Sequence, residues 1–317
     1  MVMMLTNFVI ILLIALAKVH CYESNTYCVK SEDSQPCDQC KSAVYCATLD
    51  IFTQPNNSSR YFKSFTHFVF LPGYHNHGDT LIVSNVTNMT FTGVIHSSPV
   101  IVSCMKKDVG FQFYNFTGVT FEHLMITNCG QSFIPHYPEK NSLPKTTRAA
   151  LIFDIGSDIT LNNITISNSP TQGFYINRVE GLINIISSTF QHAVNESSGE
   201  SDIIAGNSIF SANCSKPGPT ASIKDSLFFN NSNFADPKCS RFAAGLVIVL
   251  KCTNFAVTLD TVTFRRNKGC EGGNLALIFF NTTEPFTKSL VIINSVFQNG
   301  YALMGAGIFV SDRKSVV

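Results

Sequence analysis

The chain has 317 residues, of which 14% are charged and 45% are hydrophobic, and its formal net charge is +1. This charge content is far below the roughly 25% of ordinary globular proteins. So apolar a chain is not intrinsically disordered, and one so nearly neutral lacks the broad basic surface of a nucleic-acid-binding protein. Neutral polar residues take the place of charge, with 27 Asn beside many Ser and Thr. Asn, Ser and Thr compete with helical hydrogen bonds, so the composition favours β structure in two domains or in one elongated repeat domain.

Residues 1–21 are predicted to be a signal peptide. Met1 to Ala17 is almost entirely apolar, and Lys18 ends the run. The densest part, Phe8 to Ala17, has signal-peptide length, whereas a membrane-spanning helix needs about twenty apolar residues. The alternative is an uncleaved N-terminal anchor. No later segment approaches the length of a membrane span, so we expect a secreted protein or one held at the cell surface.

Residues 22–65 form a separate Cys-rich segment. From Tyr22 to Gln39 the chain is polar and lacks a strand pattern. Lys41 to Phe52 carries small and apolar residues at helical spacing and ends before Pro55. This spacing predicts a short amphipathic helix that covers the open end of the following domain.

Residues 66–317 contain a short repeated pattern. Two apolar residues flank one variable residue, a two-residue step follows, and a second such triplet ends near an Asn. The copies begin at Val119, Ile159, Ile183, Ala221, Val257 and Leu290. The fourth and sixth copies close on Asn230 and Asn299, the third has His192 where Asn would be, and in the fifth Asn267 is displaced by one position. Irregular spacing in this range is typical of a repeating supersecondary unit.

The repeat has a simple physical interpretation as one coil of a parallel β-helix. Each triplet directs two apolar side chains to one face of a short strand. Asn tolerates the left-handed turn that follows, and its amide can bond one coil to the next. Stacked coils then bury a continuous apolar column. We therefore predict an all-β, right-handed parallel β-helix solenoid with a short Cys-rich N-terminal cap. An antiparallel sandwich is the alternative, but Asn299-Gly300 is the one clear hairpin signal.

Several segments resemble a known family. Phe68–Tyr74 (FVFLPGY) resembles the entry strand of pectin-lyase-like β-helix proteins. Asn115–Gly130 (NFTGVTFEHLMITNCG) and Asn88–Val94 resemble coils of the large extracellular right-handed β-helix proteins of early-branching animals. The glycine-rich stretches Gly272–Leu277 and Gly305–Phe309 resemble other coils of those proteins. The resemblance covers residues 66–317 and implies a fold rather than an activity. Family members are often longer, which leads to the hypothesis that the chain is a partial gene product whose missing part holds further coils or a membrane anchor.

Cysteines and glycosylation triplets give independent support to an extracellular address. Removal of Cys21 with the signal peptide leaves ten cysteines, an even number as disulfides require. Cys37 and Cys40 have the spacing of half a zinc site, but in a secreted chain disulfides are favoured. The first four cysteines could pair among themselves, and Cys104–Cys129, Cys214–Cys239 and Cys252–Cys270 could join coils or close loops, but the sequence alone does not fix the connectivity. The disulfide candidates are Cys28, Cys37, Cys40, Cys46, Cys104, Cys129, Cys214, Cys239, Cys252 and Cys270. The glycosylation candidates are Asn57, Asn85, Asn88, Asn115, Asn163, Asn195, Asn213, Asn230 and Asn281.

Two clusters have side chains suited to chemistry. His75, His77 and Asp79 could bind a metal in the loop after the entry strand, although a solvated turn is the expected interpretation. Asp154 and Asp158 lie on either side of Gly156, with Arg148 and Arg178 as candidate bases. The family resemblance includes polysaccharide lyases that hold Ca²⁺ on outward-facing carboxylates and abstract a proton with a basic residue. Nothing in the spacing brings these four residues together, and surface carboxylates are expected.

Two classes of function remain. The first is a non-enzymatic secreted or cell-surface glycoprotein that acts as a binding, adhesion or structural module for extracellular glycans or proteins. The second is a carbohydrate-active enzyme, either a Ca²⁺-dependent polysaccharide lyase or a divergent glycoside hydrolase, because fold alone does not determine activity. The absence of catalytic motifs favours the first class, with no cofactor and no nucleic-acid partner.

Overall fold

The structure is a computed structural model that describes residues 25–32, 35–77, 80–104, 110–129, 149–170, 172–193, 207–211, 219–232, 245–250, 254–269, 272–281 and 288–314. Its two short α-helices are α1 (Leu49–Thr53) and α2 (Pro55–Tyr61), and Asp38–Cys40 forms one turn of 3-10 helix. The strands up to the middle of the chain are β1 (Asn25–Lys30), β2 (Tyr45–Thr48), β3 (Thr66–Phe70), β4 (Gly73–Asn76), β5 (Leu81–Gly93), β6 (Val100–Ser103), β7 (Phe111–Glu122), β8 (Met125–Thr127), β9 (Leu151–Asn162), β10 (Thr165–Ser167) and β11 (Phe174–Ile186). The remaining strands are β12 (Thr189–Gln191), β13 (Asn207–Ser211), β14 (Thr220–Lys224), β15 (Leu227–Phe229), β16 (Leu246–Leu250), β17 (Phe255–Asp260), β18 (Thr263–Arg265), β19 (Leu275–Asn281), β20 (Lys288–Ile293), β21 (Val296–Gln298) and β22 (Ile308–Lys314).

The strands form three faces of a parallel β-helix. Face 1 contains the first halves of β5, β7, β9 and β11, followed by β13, β16, β19 and β22. Face 2 contains β2, β1 and β3, the second halves of the same four long strands, and then β14, β17 and β20. Face 3 is the eight-stranded sheet from β4 to β21. Every strand pairing of the described residues is parallel, so the predicted parallel β-helix is confirmed and the antiparallel sandwich is wrong.

The interior holds the apolar positions of the predicted repeat. Ile159, Leu161, Ile164 and Ile166 are all at most 1% exposed, and the equivalent positions of the neighbouring coils are buried with them. On face 3 the inward residues of the last four strands form a column of phenylalanines, whereas the four earlier strands carry His75, Val102, Ile126 and Ile166 there. Their ring centroids are 4.9–5.0 Å apart along Phe190, Phe228, Phe264 and Phe297. This spacing matches the distance of about 4.8 Å between hydrogen-bonded strands, so each coil stacks its ring on the previous one.

The corners between the faces are built from residues with left-handed backbone conformations. The corner from face 2 to face 3 lies at His123, Asn163, Ser187, Asp225, Thr261 and Asn294. The corner after face 3 lies at Asn128, Asn168, His192, Asn230, Arg266 and Asn299. The predicted turn role of Asn, and of His192 in its place, is therefore confirmed. In the fifth copy the corner residue is Arg266, with φ of 56°, and Asn267 lies inside the helix.

The N-terminal segment differs from its prediction in two respects. The polar Cys-rich part contains a strand, β1, which pairs in parallel with both β2 and β3. Residues 45–48, predicted to be helical, form β2, and Pro55 begins α2 where we expected the helix to end. Proline is favoured at the first helical position because its missing N–H has no partner there. Phe52 and Phe62 pack against Phe68 with centroid distances of 5.6 and 4.6 Å, so the helices do cover the end of the core.

Candidate functional site

The two histidines of the predicted metal cluster lie inside the helix rather than in a solvated turn. His75 is 1% and His77 0% exposed, at and just after the end of β4, while Asp79 lies outside the described residues. The Nε2 atom of His75 donates to the Leu71 carbonyl at 2.8 Å, and that of His77 donates to the Gly110 carbonyl at 2.7 Å. Burial lowers the pKa of His75, which the backbone carbonyls of Leu71 and Lys30 partly oppose. Each Nε2 atom is thus engaged by one backbone carbonyl.

No set of three or more metal-ligating side chains is grouped within the described part of the chain. Cys37 and Cys40, the half zinc site considered above, are bonded to different partners. In the described residues the disulfides are Cys28–Cys40, Cys37–Cys46 and Cys104–Cys129, so the first four cysteines do pair among themselves. The candidates Cys214, Cys239, Cys252 and Cys270 lie outside the described residues. Three disulfides indicate folding in an oxidising, extracellular type of compartment.

Asp154 and Arg178 meet on the outer side of face 1. Asp154 is 1% exposed and accepts hydrogen bonds from Arg178 Nε at 3.0 Å and Arg178 Nη2 at 2.7 Å. Asn177 Nδ2 donates to the same carboxylate at 2.8 Å. The side chain of Arg178 is 22% exposed. The arrangement neutralises the carboxylate with a bidentate guanidinium pair.

The remaining candidate residues of this cluster do not join the pair. Asp158 is exposed at the next corner, where its Oδ1 accepts a hydrogen bond from the Leu182 N–H at 3.0 Å. A side chain at Gly181 would place its Cβ 2.5 Å from that oxygen, so this corner requires glycine. Arg148 lies outside the described residues. The structure therefore brings together Asp154 and Arg178, and it gives Asp158 a separate role in a turn.

Most described glycosylation candidates lie at corners. Asn85, Asn88, Asn115 and Asn163 are exposed and have left-handed conformations. Asn230 has the same conformation and is half-buried, whereas the Asn57 amide donates to the Ile51 carbonyl at 3.0 Å. Asn195 and Asn213, and the side chain of Asn281, lie outside the described residues. At a corner the side-chain amide lies outside the hydrogen-bonded part of the strands, so a sugar attached there would not disturb the strand pairing.

The outer side of face 2 carries a column of neutral hydrogen-bonding side chains that sequence reasoning missed. Strand register places one member of the column on each of six successive coils, and all six are half-buried: Thr90, Thr120, Thr160, Asn184, Ser222 and Thr258. Each occupies the variable position between two apolar residues of the repeat. The signal was present in the sequence, because the variable position is a hydroxyl or amide residue in these six coils, whereas the next coil has Val291 there. We call this column the hydroxyl ladder.

The hydroxyl ladder is regular and uncharged. Adjacent strands are about 4.8 Å apart, so six rungs extend over about 24 Å. The next column along the same face contains the charged residues Glu122, Lys224 and Asp260, of mixed sign. His67 precedes the first rung in register, and its Nε2 lies 3.1 Å from Thr92 Oγ1. Among the described residues, the hydroxyl ladder therefore offers mainly hydroxyl and amide groups for hydrogen bonding.

Comparison with known proteins adds no relative. No protein-family model, curated protein or solved structure matches this chain. In the described residues, no helix has the length and apolar character needed to cross a membrane.

Proposed function

We propose that the protein is a non-enzymatic glycoprotein, secreted or held at the cell surface, that binds neutral glycans along the hydroxyl ladder. The observation that carries this proposal is the ladder itself. Its rungs both donate and accept hydrogen bonds, as sugar hydroxyls do. They are fixed to a rigid sheet, so little conformational entropy is lost on binding. Their lack of charge favours an uncharged polymer over an acidic one.

The extracellular address belongs to the same proposal. It is supported by the apolar segment at residues 1–21, by the disulfides and by the exposed acceptor triplets at the corners. A rigid, extended solenoid with glycans at its corners suits a molecule that presents one side to a polymer or to another protein. Adhesion or a structural role in a matrix follows from the same geometry.

The alternative is a Ca²⁺-dependent polysaccharide lyase or a divergent glycoside hydrolase. Asp154 and Arg178 are the residues that such an enzyme would use as cation ligand and base. Their bidentate contact argues against those roles, since it engages the Arg178 guanidinium in two hydrogen bonds to the carboxylate. The same contact occupies both carboxylate oxygens that a cation would need.

The proposal is tested by binding of the mature, glycosylated protein to a panel of neutral and acidic polysaccharides, with and without Ca²⁺. A ladder variant with Thr90→Val, Thr120→Val and Thr160→Val removes three hydroxyls and keeps the β-branched shape. The matched control carries Thr165→Val, Thr189→Val and Thr263→Val on face 3, which are half-buried like the ladder threonines. Three hydrogen bonds at about 1 kcal/mol each predict at least a tenfold loss of affinity for the ladder variant.

Polymer chain length is measured in the same incubations. Equal affinity of the ladder and control variants would contradict binding at face 2. Shortening of any polymer would overturn the non-enzymatic assignment and direct attention to Asp154 and Arg178. Binding of acidic polymers alone would contradict the choice of a neutral glycan.

A further inference from the structure

A groove of about 630 Å³ lies at the N-terminal end of the β-helix, beside the first corner of β5. In the described residues β3 pairs with the second half of β5 alone, from Thr90 to Gly93, and no described strand continues the sheet over the first half of β5. The segment from Phe62 to Phe65 crosses above the corner instead. It is held there by the Phe65 N–H, which donates to the Thr87 carbonyl at 2.7 Å, and by Ser64 Oγ, which accepts from the Thr87 N–H at 2.9 Å.

The groove combines apolar and polar walls. The half-buried Phe65 provides aromatic surface, the nearly buried Phe62 and Val86 line the groove with little exposed area, and Lys63 and Ser64 provide hydrogen-bond donors. Its volume lies within the range of small-molecule sites in proteins. A flat aromatic wall beside polar donors suits a sugar ring, which has C–H groups on its faces and hydroxyls at its edge.

Asn85 lines this groove and begins the acceptor triplet Asn85-Val86-Thr87. It is exposed and has φ of 57°. One coil further, Asn115 begins a second acceptor triplet, and its Nδ2 donates to Asn85 Oδ1 at 2.6 Å. Within the described residues no hydrogen bond engages Asn85 Nδ2. Of these two stacked amides, that of Asn85 is therefore the one whose nitrogen makes no hydrogen bond to a described residue.

We infer that Asn85 carries an N-linked glycan whose first N-acetylglucosamine lies in the groove, and that Asn115 stays unmodified as its hydrogen-bond donor. The sugar donor is a lipid-diphosphate-linked oligosaccharide. The Asn85 Nδ2 atom loses one proton and forms a bond to the sugar C1 atom, while the bond from C1 to the diphosphate oxygen breaks and the lipid diphosphate leaves. A sugar on Asn115 would replace one of the two hydrogens of the nitrogen that donates to Asn85. The inference rests on the extracellular address proposed above.

The site of attachment is tested on protein secreted from a eukaryotic cell line. Enzymatic deglycosylation in ¹⁸O-labelled water marks each modified Asn as labelled Asp, and peptide fragmentation separates Asn85 from the nearby Asn88. The expected result is label at Asn85 and none at Asn115. Label at Asn115, alone or together with Asn85 on one molecule, would overturn the inference. Label elsewhere but not at Asn85 overturns this inference alone, whereas no label at any triplet overturns the extracellular address as well.

The position of the sugar is tested by a thermal-stability cycle between Asn85→Gln and Phe65→Ala. With Phe65 present, Asn85→Gln should lower Tm by about 2 °C, because the contact between sugar and groove is lost. In the Phe65→Ala background the same change should have at most half that effect, and the cost of Phe65→Ala itself cancels. Asn163→Gln, at a corner remote from the groove, is the control and should act equally in both backgrounds.

The parent protein, the two single variants Asn85→Gln and Phe65→Ala, and the double variant are also made with N-glycosylation blocked. These four proteins should show no coupling between positions 65 and 85. Persistent coupling in the unmodified protein, or equal effects of Asn85→Gln in both glycosylated backgrounds, would show that the sugar does not occupy the groove. If Phe65→Ala is not secreted, Phe65→Leu removes the flat ring and keeps an apolar side chain of similar size.

Discussion

Asn267 offers the sharpest test of how the coils are joined. Its side-chain amide is fully buried and makes four hydrogen bonds. The Nδ2 atom donates to the Phe228 carbonyl and to Asn274 Oδ1, both at 2.9 Å. Its Oδ1 accepts from the backbone and side-chain nitrogens of Asn231 at 3.1 and 2.9 Å. These bonds link three successive coils through the interior of the helix.

Asn267→Ala should therefore cost far more than the loss of a surface turn residue. It leaves the Asn231 N–H without an acceptor and removes one acceptor from Asn231 Nδ2. An unsatisfied buried donor costs about 1–3 kcal/mol, so the expected loss is about 4 kcal/mol. The neighbouring change Arg266→Asn should act in the opposite direction by about 0.5–1 kcal/mol, since Asn tolerates the left-handed corner better than Arg does.

Chemical unfolding of the two variants and the parent protein, followed by fluorescence or circular dichroism, measures both effects. Denaturation midpoints are compared at equal slope, so that a change in midpoint reports stability. A loss below about 1 kcal/mol for Asn267→Ala would refute the interior amide ladder. If Arg266→Asn did not stabilise the protein, the assignment of Arg266 as the corner residue would be contradicted.

Three further changes test other parts of the structure. Asp154→Ala removes the carboxylate that Arg178 and Asn177 share, so it should lower the free energy of unfolding by about 3–5 kcal/mol, at the lower end because Arg178 is part-exposed. Asp158→Ala should lower it by about 1 kcal/mol in the same unfolding assay. Equal losses for the two variants would contradict the buried pair. Replacing both Cys104 and Cys129 by Ala opens a loop with a sequence separation of 25 residues and should cost about 3.5 kcal/mol by the same assay, unless the unfolded state is already compact. Burial lowers the pKa of His75 in the folded protein below its unfolded value of about 6.5. The folded protein is therefore fully stable with respect to this group above about pH 6.5, and stability is lost as the pH falls below that value. His75→Gln should therefore flatten the decline in denaturation midpoint between pH 7 and pH 5, and an unchanged decline would assign it to other groups.

The core of the fold could be predicted because it is periodic. Apolar residues at the two positions of each triplet identify the inward faces of Ile159–Leu161 and Ile183–Ile185 without any knowledge of distant contacts. Asn at the end of the repeat likewise identifies the corner at Asn168 or Asn299. These are local signals, since strand alternation and left-handed turns depend on neighbouring residues.

The parts that were missed depend on contacts between distant segments. Cys28 and Val29 are both buried, so β1 lacks alternation, and its strand conformation comes from pairing with β2 and β3. The role of Asn267 depends on Asn231 and Asn274 in adjacent coils. The contact between Asp154 and Arg178 requires the register of β9 against β11, which the sequence separation alone does not specify.

The spacing of the corners has a consequence for how such a chain can change in length. In six successive coils the corner before face 3 and the corner after it are five residues apart, from His123 and Asn128 to Asn294 and Asn299. The coils themselves differ in length, so every insertion and deletion that distinguishes them falls outside this five-residue unit. One residue added inside it would turn Phe228 or Phe264 towards solvent and break the aromatic column. Foreign sequence, such as a peptide tag or a second domain, belongs between the end of face 3 and the next strand of face 1, where the coils already differ.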